Sequence, residues 1–560
     1  MKLVLRILCI GILASVGASA DAAEPAVLTG IVSSQAEGNM EGVLVSAKRV
    51  GGTITVTVVS DRAGRFIFTK NQLAHGEYEL SIRATGYEMA NPKQKVTVGS
   101  AKTQADIHLQ NARDSSSQMT DAEWLTSMPG TPEQKEMIYE NCVLCHTLTP
   151  VLKSTYDVAG WKTTFQRMWN WASVSAINKP VPSPVPQGAW RFGITESADI
   201  HATDQEFAEY LAGLNMGTKS TFDFKFKTLP RPRGEDTKVV VTEYDLPRAD
   251  AQPHDAVSDA EGIVWYTDYA DGIVGRLDPR TGEIREFTDP LMKEGYAGGF
   301  HDIQLDVAGN PWVGRHEFNG FAMFDKKAEK FVNWSLPDEV ANQKVRTNFL
   351  APTKNGKVWV KDNTDHKAIL FDPVTKNFTG FDQFPAGLNF SVHGASHHNI
   401  YGMSADSLGN EYGADIDGGA IVEIEAETGK RKMFTIPTAN AGPRRMHMDS
   451  QDRLWIGESF GNKIAMLDTR TEKFQEWSHP IPWYGPYDVA PAKDGWVWTG
   501  GMSTDFITRL NPQTGEFRTY LLPRVGVNVR RVDVNNSGPH PVFWIGENHQ
   551  AKIAKVEVLN

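Results

Sequence analysis

Pro253-His254-Asp255-Ala256-Val257-Ser258-Asp259-Ala260-Glu261-Gly262-Ile263-Val264-Trp265-Tyr266-Thr267-Asp268 is the stretch from which the architecture is read. Two strand-length runs flank an Asp-x-x-Gly turn, and the second run carries a tryptophan. Downstream, a third strand leads into the turn Arg276-Leu277-Asp278-Pro279-Arg280-Thr281-Gly282, and a fourth ends near Pro290. The pattern recurs around Trp312, Trp359, Tyr412, Trp455, Trp498 and Trp544, at spacings of 43 to 53 residues. Four strands in a unit of that length is the size of a propeller blade. Six units carry their own fourth strand, ending near Pro290, Pro337, Pro385, Pro437, Pro480 and Pro523. The seventh stops at its third strand, within Lys552 to Leu559, while an orphan strand, Val239 to Pro247, precedes the first unit. If the two chain ends share one blade, the ring closes and no long sheet edge is left exposed. The expectation is a seven-bladed β-propeller over residues 237–560.

Upstream of the repeats, Cys142-Val143-Leu144-Cys145-His146 is C-x-x-C-H, the attachment pattern of a c-type haem. Two thiols three positions apart on a helical turn can each form a thioether, and the adjacent imidazole then faces the iron. The rival readings are a redox C-x-x-C, which needs a βαβ context, and half of a zinc site, which needs a second ligand pair. Neither accompaniment is present. Thr131 to Tyr139 reads as a helix before the motif. Thr203 to Leu214 reads as one after it, opening on a capping box, Thr203-x-x-Glu206, and carrying a stripe of Phe207, Tyr210, Leu211 and Leu214. These features resemble a class I cytochrome c over residues 120–218. The resemblance implies His146 and a methionine as axial ligands of the haem iron. Met168, on the amphipathic segment from Gly160, is the choice and Met216 the runner-up. The Pro-rich run Lys179 to Pro186 cannot be helix.

Further upstream, residues 25–110 hold short alternating strands separated by turns about every ten positions, as in a β-sandwich. Asp61-Arg62-Ala63-Gly64-Arg65-Phe66 and Gly76-Glu77-Tyr78-Glu79-Leu80 carry a resemblance to the carboxypeptidase regulatory-like domain. No convergent titratable set lies in it, so a structural or carbohydrate-proximal spacer is expected. Asn111 to Met119 is a polar linker. The chain begins with Lys2 and Arg6, an apolar run from Leu3 to Val16, and Ala18-Ser19-Ala20. That is a secretory signal over residues 1–20, too short for a membrane anchor. Export to the periplasm or outside the cell is expected. No later segment reaches about 18 apolar residues. The 560 residues are 40% hydrophobic and 22% charged, an ordinary globular composition. A net charge of −11 argues against nucleic-acid binding, and three cysteines exclude a disulfide scaffold. The chain is therefore expected to be mainly β, with an N-terminal β-sandwich, one small α-helical domain and a C-terminal propeller.

Within the propeller, the residue eleven before each tryptophan and the residue three after it are expected at one mouth. The first set is His254, His301, Asn348, Tyr401, Arg444, Tyr487 and, allowing for an insertion in the last unit, Arg530. The second is Asp268, Arg315, Asp362, Asp415, Glu458, Gly501 and Glu547. Such residues suit a polar pocket, or else a solvated rim of compensating charges. The phrases Pro253 to Asp268 and His301-Asp302-Ile303 to Trp312 resemble the virginiamycin B lyase (streptogramin lyase) family. That resemblance implies a His and a nearby Glu on a late blade, with magnesium. Glu458 falls on the acidic position, but Arg444 stands where the family has His, and arginine is a poor base. His254 with Asp268 keeps a His–acid pairing on the first blade. Candidate catalytic residues are thus His254, Asp268, His301, Arg444 and Glu458. His393, His397, His398, His447, His316 and Glu317 could instead bind a second metal, or serve as ordinary loop residues. Haem implies one-electron chemistry with a small-molecule substrate or a redox partner protein. The alternatives are a lyase-like eliminase acting on a cyclic depsipeptide and a non-enzymatic binding propeller.

Overall fold

The computed structural model describes residues 25–143, 146–171, 200–217, 219–292, 298–315, 319–338, 340, 347–362, 367–384 and 398–559. The export signal, Cys145, the Pro-rich run, His316, Glu317, His393 and His397 lie outside them.

Among the described residues, six four-stranded antiparallel sheets follow one another from Pro253 to Leu521. In the first, Pro253–Ser258, Val264–Asp268, Ile273–Asp278 and Glu283–Thr288 pair in order. The second strand is wholly buried and the fourth alternates towards solvent, so hydrophobicity grades from the inside outwards. The repeated Asp-x-x-Gly turn has a local cause. Asp259 accepts the backbone N–H of Glu261 and Ile263 and, at 2.9 Å, the indole N–H of Trp265. Asp306 and Asp449 hold Trp312 and Trp455 in the same way, both at 3.0 Å. The turn residue thus orients the largest core side chain of its unit.

The innermost strands touch their neighbours in succession, and Pro253–Ser258 also contacts Asp533–Asn535 and Val542–Glu547, so the ring closes. Closure uses both ends of the region. Val239–Asp245 pairs antiparallel with Lys552–Val558 over seven residues, the junction expected for the orphan strand. Glycine lets adjacent units approach. A β-carbon on Gly546 would lie 2.3 Å from the Pro253 carbonyl oxygen.

The N-terminal sandwich packs Leu28, Val32, Phe66, Phe68, Leu80 and Val98 between two sheets. Its strand Ile54–Val59 pairs with Val239–Asp245, so four sandwich strands and the four closing strands of the ring form one eight-stranded sheet. The outer edge of the closing unit is therefore covered rather than exposed. Lys48 of the sandwich and Lys552 of the last strand both pair with Asp245.

Among the described residues five helices lie between the sandwich and the ring: α1 (Asp121–Ser127), α2 (Pro132–Cys142), α3 (Thr149–Leu152), α4 (Val158–Trp169) and α5 (Ile200–Leu214). Thr120 with Glu123 and Thr131 with Gln134 form capping boxes at α1 and α2. The capping box expected at Thr203 is not the start of α5, which begins at Ile200. Capping sequence marks where a helix can begin, and here the helix extends one turn further back. No helix among the described residues is long and apolar enough to cross a membrane.

Candidate functional site at the ring mouth

The site arises from a repeated register slip. In the first sheet Pro253 faces Asp268 and Ala256 faces Tyr266, so His254 and Asp255 together oppose one residue, Thr267. The same bulge puts His301-Asp302 against Gly314, Tyr401-Gly402 against Ala414, and Arg444-Arg445 against Gly457. Tyr487 is the extra residue in the sixth sheet. A bulge re-aims side chains, and here it gathers them into two layers.

The upper layer is aromatic and basic. The His254 and His301 rings lie 4.4 Å apart, and His301 is 4.6 Å from Phe349 and 6.0 Å from Tyr401. The hydroxyls of Tyr401 and Tyr487 share a hydrogen bond. The Arg444 guanidinium lies 5.2 Å from each of these two tyrosine rings, and that of Arg530 lies 5.2 Å from Tyr269. Asn348 is buried at the same level of the third unit.

The lower layer is an ionic cluster that sequence reading missed. Arg445 reaches Asp255 at 2.8 Å and Asp302 at 3.1 Å, Arg531 reaches Asp302 at 3.1 Å, and His447 reaches Asp488 at 3.0 Å. The carboxylates also staple neighbouring units. Asp255 accepts Ile303 N–H, Asp302 accepts Leu350 N–H, and Asp488 accepts Val532 N–H. Burial, opposed by Arg445 and Arg531, holds Asp302 up at about 6. Burial works against ionisation of Asp488 too, but His447 and the arginines bring it down to about 2. The signal that could have found this layer is the recurring dipeptide: His-Asp at 254 and 301, Arg-Arg at 444 and 530.

The expected His254–Asp268 pairing is corrected. His254 Nδ1 lies 2.6 Å from Asp255, whereas Asp268 is engaged by Arg248 and the backbone N–H groups of Ala270 and Asp271. Arg444 likewise does not meet Glu458, which lies by Glu476 of its own fourth strand; burial and that neighbour raise Glu458 to about 8. Arg315 turns to Asp289, Asp415 to His398, and Glu547 neighbours Glu243. The extra residue in each bulge moves the first set out of register with the second. Among the described residues, no three His, Cys, Asp or Glu side chains are gathered as for a metal ion.

The helical insertion sits directly over this mouth. Tyr139 Oη donates to the Ser459 carbonyl at 3.1 Å, and its ring packs on Phe460 and Trp483. Asn528 Nδ2 donates to the Val143 carbonyl at 3.5 Å, and Thr147 lies against Gly526. The half-buried Cys142 packs against the apolar core that includes Phe349, Tyr401 and Tyr487. His146 Nδ1 lies 2.8 Å from the Thr147 carbonyl oxygen, to which it can only donate. Met168 follows Trp161, Thr164 and Phe165 along one face of α4, at helical spacing.

Asp121 secures the loop after the motif by accepting Leu148 N–H at 2.7 Å. Burial raises its carboxyl to about 8, from 3.8. The folded chain therefore holds an extra proton between pH 4 and 8, and stability falls as pH rises through that window. Asp121→Asn keeps the acceptor and loses the charge. It should be more stable than the parent at pH 8, by on the order of a few kcal/mol, and equal near pH 4. Urea midpoints at both values check this, and a constant difference refutes it.

Residues 27–110 match the carboxypeptidase regulatory-like domain. No curated protein matches the chain. A streptogramin B lyase structure is 20% identical, covers 58% of this chain and all of its own, and gives a TM-score of 0.50. Virginiamycin B lyase from Staphylococcus aureus is 19% identical over 57% of this chain and all of its own, with a TM-score of 0.49. The WD40 repeats of RRP9 are 10% identical, cover 57% of this chain and 97% of their own, and give 0.44. At such identity the likeness to the streptogramin B lyase shows the fold alone, a β-propeller.

Proposed function

We propose that the protein is an exported monohaem c-type cytochrome fused to a seven-bladed propeller. In this reading it is a haem-linked oxidoreductase or electron carrier whose substrate or redox partner meets the propeller mouth. Cys142 and Cys145 would hold the porphyrin, His146 would be the proximal iron ligand and Met168 the distal one. The single observation that carries the reading is the His146 hydrogen bond. Nδ1–H is committed to the Thr147 carbonyl, which leaves Nε2 for a metal, as an axial histidine requires.

Haem, when bound, supplies a one-electron couple. The chain's own residues do the rest. Tyr139 and Val143 tie the attachment helix to the ring, so that end of α2 shares its apolar surroundings with the mouth. The paired tyrosines and the two histidine rings offer flat faces to a planar ligand. The ionic layer of Asp255, Asp302, Arg445 and Arg531 lies beneath these rings. The lyase reading lacks support at its own positions. Arg444 replaces the base, and Glu458 neighbours Glu476 of its own fourth strand.

The exported protein should show a Soret band that survives denaturing electrophoresis, with both thiols blocked to alkylation. Cys142→Ala with Cys145→Ala should abolish that covalent colour. Met168→Ala should open the iron to added cyanide, and an unchanged spectrum would remove Met168 as ligand. A colourless parent with two free thiols ends the redox reading.

A further inference from the structure

Arg444 is 3% exposed, its Nε is buried without a hydrogen-bond partner, and among the described residues no carboxylate pairs with it. Its neighbours contrast with it. Arg445 and Arg531 are neutralised by Asp255 and Asp302, and Arg530 donates to Asn528 Oδ1 at 2.8 Å. Around Arg444 stand three rings, Tyr401 and Tyr487 at 5.2 Å and Phe460 at 5.7 Å. Ring faces attract a cation, but more weakly than the water lost on burial, so the faces alone do not offset desolvation. Glu140 of α2 feels the charge of Arg444, yet no ion pair forms between them. The bulge holds the side chain where it is, because Arg444 and Arg445 together oppose Gly457 and Arg445 is anchored below.

We propose that Arg444 is the anchor for a carboxylate bound at the mouth, carried on a flat, apolar body that lies against Tyr401, Tyr487 and Phe460. The planar fork of arginine suits a carboxylate bidentately, and the rings suit an aromatic or porphyrin face. Two sources offer that chemistry: a propionate of the haem, in which case the inference rests on the function proposed above, or an aryl carboxylate from outside, in which case it does not.

The test uses the full chain as purified, with Arg444→Gln and Arg444→Lys. Benzoate is titrated by calorimetry, and the reduction potential is followed spectroelectrochemically at pH 7. If the carboxylate is a propionate, the parent does not bind benzoate. Arg444→Gln then has a lower potential, because a positive charge by the porphyrin is lost, and Arg444→Lys restores most of it. If the carboxylate is external, the parent binds benzoate, Arg444→Gln binds at least tenfold more weakly, and the potential stays put. Absence of both effects overturns the proposal. So does an equal loss in both variants accompanied by a lower melting temperature, which would report damage to the mouth. A colourless parent defeats the haem reading alone, and the benzoate titration still decides the external source.

Discussion

Arg445→Ala should destabilise the propeller by about 3–5 kcal/mol, the cost of leaving a buried ion cluster without its cation. Arg445 bridges Asp255 and Asp302 from across the channel, and its Nη2 also donates to the His301 carbonyl at 3.3 Å. Without it the two carboxylates face each other, with Arg531 as the remaining near cation. One of them must then take a proton. Asp302 already titrates at about 6 because it is buried, and losing Arg445 pushes it further up. An acid whose folded value is raised costs stability as pH climbs above its unfolded value near 4, and the full cost is reached above the folded value. The variant's deficit should therefore be smaller at pH 5 than at pH 8. Denaturant midpoints at the two pH values check this. A loss below about 1 kcal/mol, or one independent of pH, would show that the cluster behaves as a solvated rim.

Arg83→Ala should uncouple the sandwich from the ring, again at a cost of about 3–5 kcal/mol. Arg83 ends the strand Gly76–Arg83 and reaches into the ring, donating to the Leu522 carbonyl at 2.7 Å and to Asp505 at 2.6 Å. Asp505 also accepts the N–H groups of Gly526 and Val527, so it organises the loop after the sixth sheet. Truncation leaves a buried carboxylate and a buried carbonyl with one donor fewer. The ladder between Ile54–Val59 and Val239–Asp245 persists but loses its lateral brace. Thermal unfolding should then resolve into two transitions, the sandwich melting first. Arg83→Lys keeps the charge but not the fork and should fall between. One transition at the parent temperature would show that the shared sheet alone holds the units together.

The sandwich and the repeat were legible because each is local. An Asp-x-x-Gly turn with its tryptophan and strand-length runs are determined within a few residues. The pairing of chain ends was also legible, because counting strands leaves one over at each end. The mouth was half legible. Position eleven before the tryptophan does collect His254, His301, Tyr401, Arg444 and Tyr487. Their partners were misassigned, because a bulge inserts one residue and a one-residue slip re-aims every side chain beyond it.

By itself, then, the chain's order of residues determined the repeat and its closure, since these follow from short-range pattern and from strand count. Only the tertiary structure decided that Asp255, Asp302, Arg445, Asp488 and Arg531 meet in one buried cluster, that the sandwich extends the closing sheet, and that the helical insertion caps the mouth. Those residues lie up to hundreds of positions apart, and what joins them is charge neutralisation and edge covering in a low-dielectric interior. No local pattern encodes that, because it depends on which distant side chains the closed ring brings within a few ångströms.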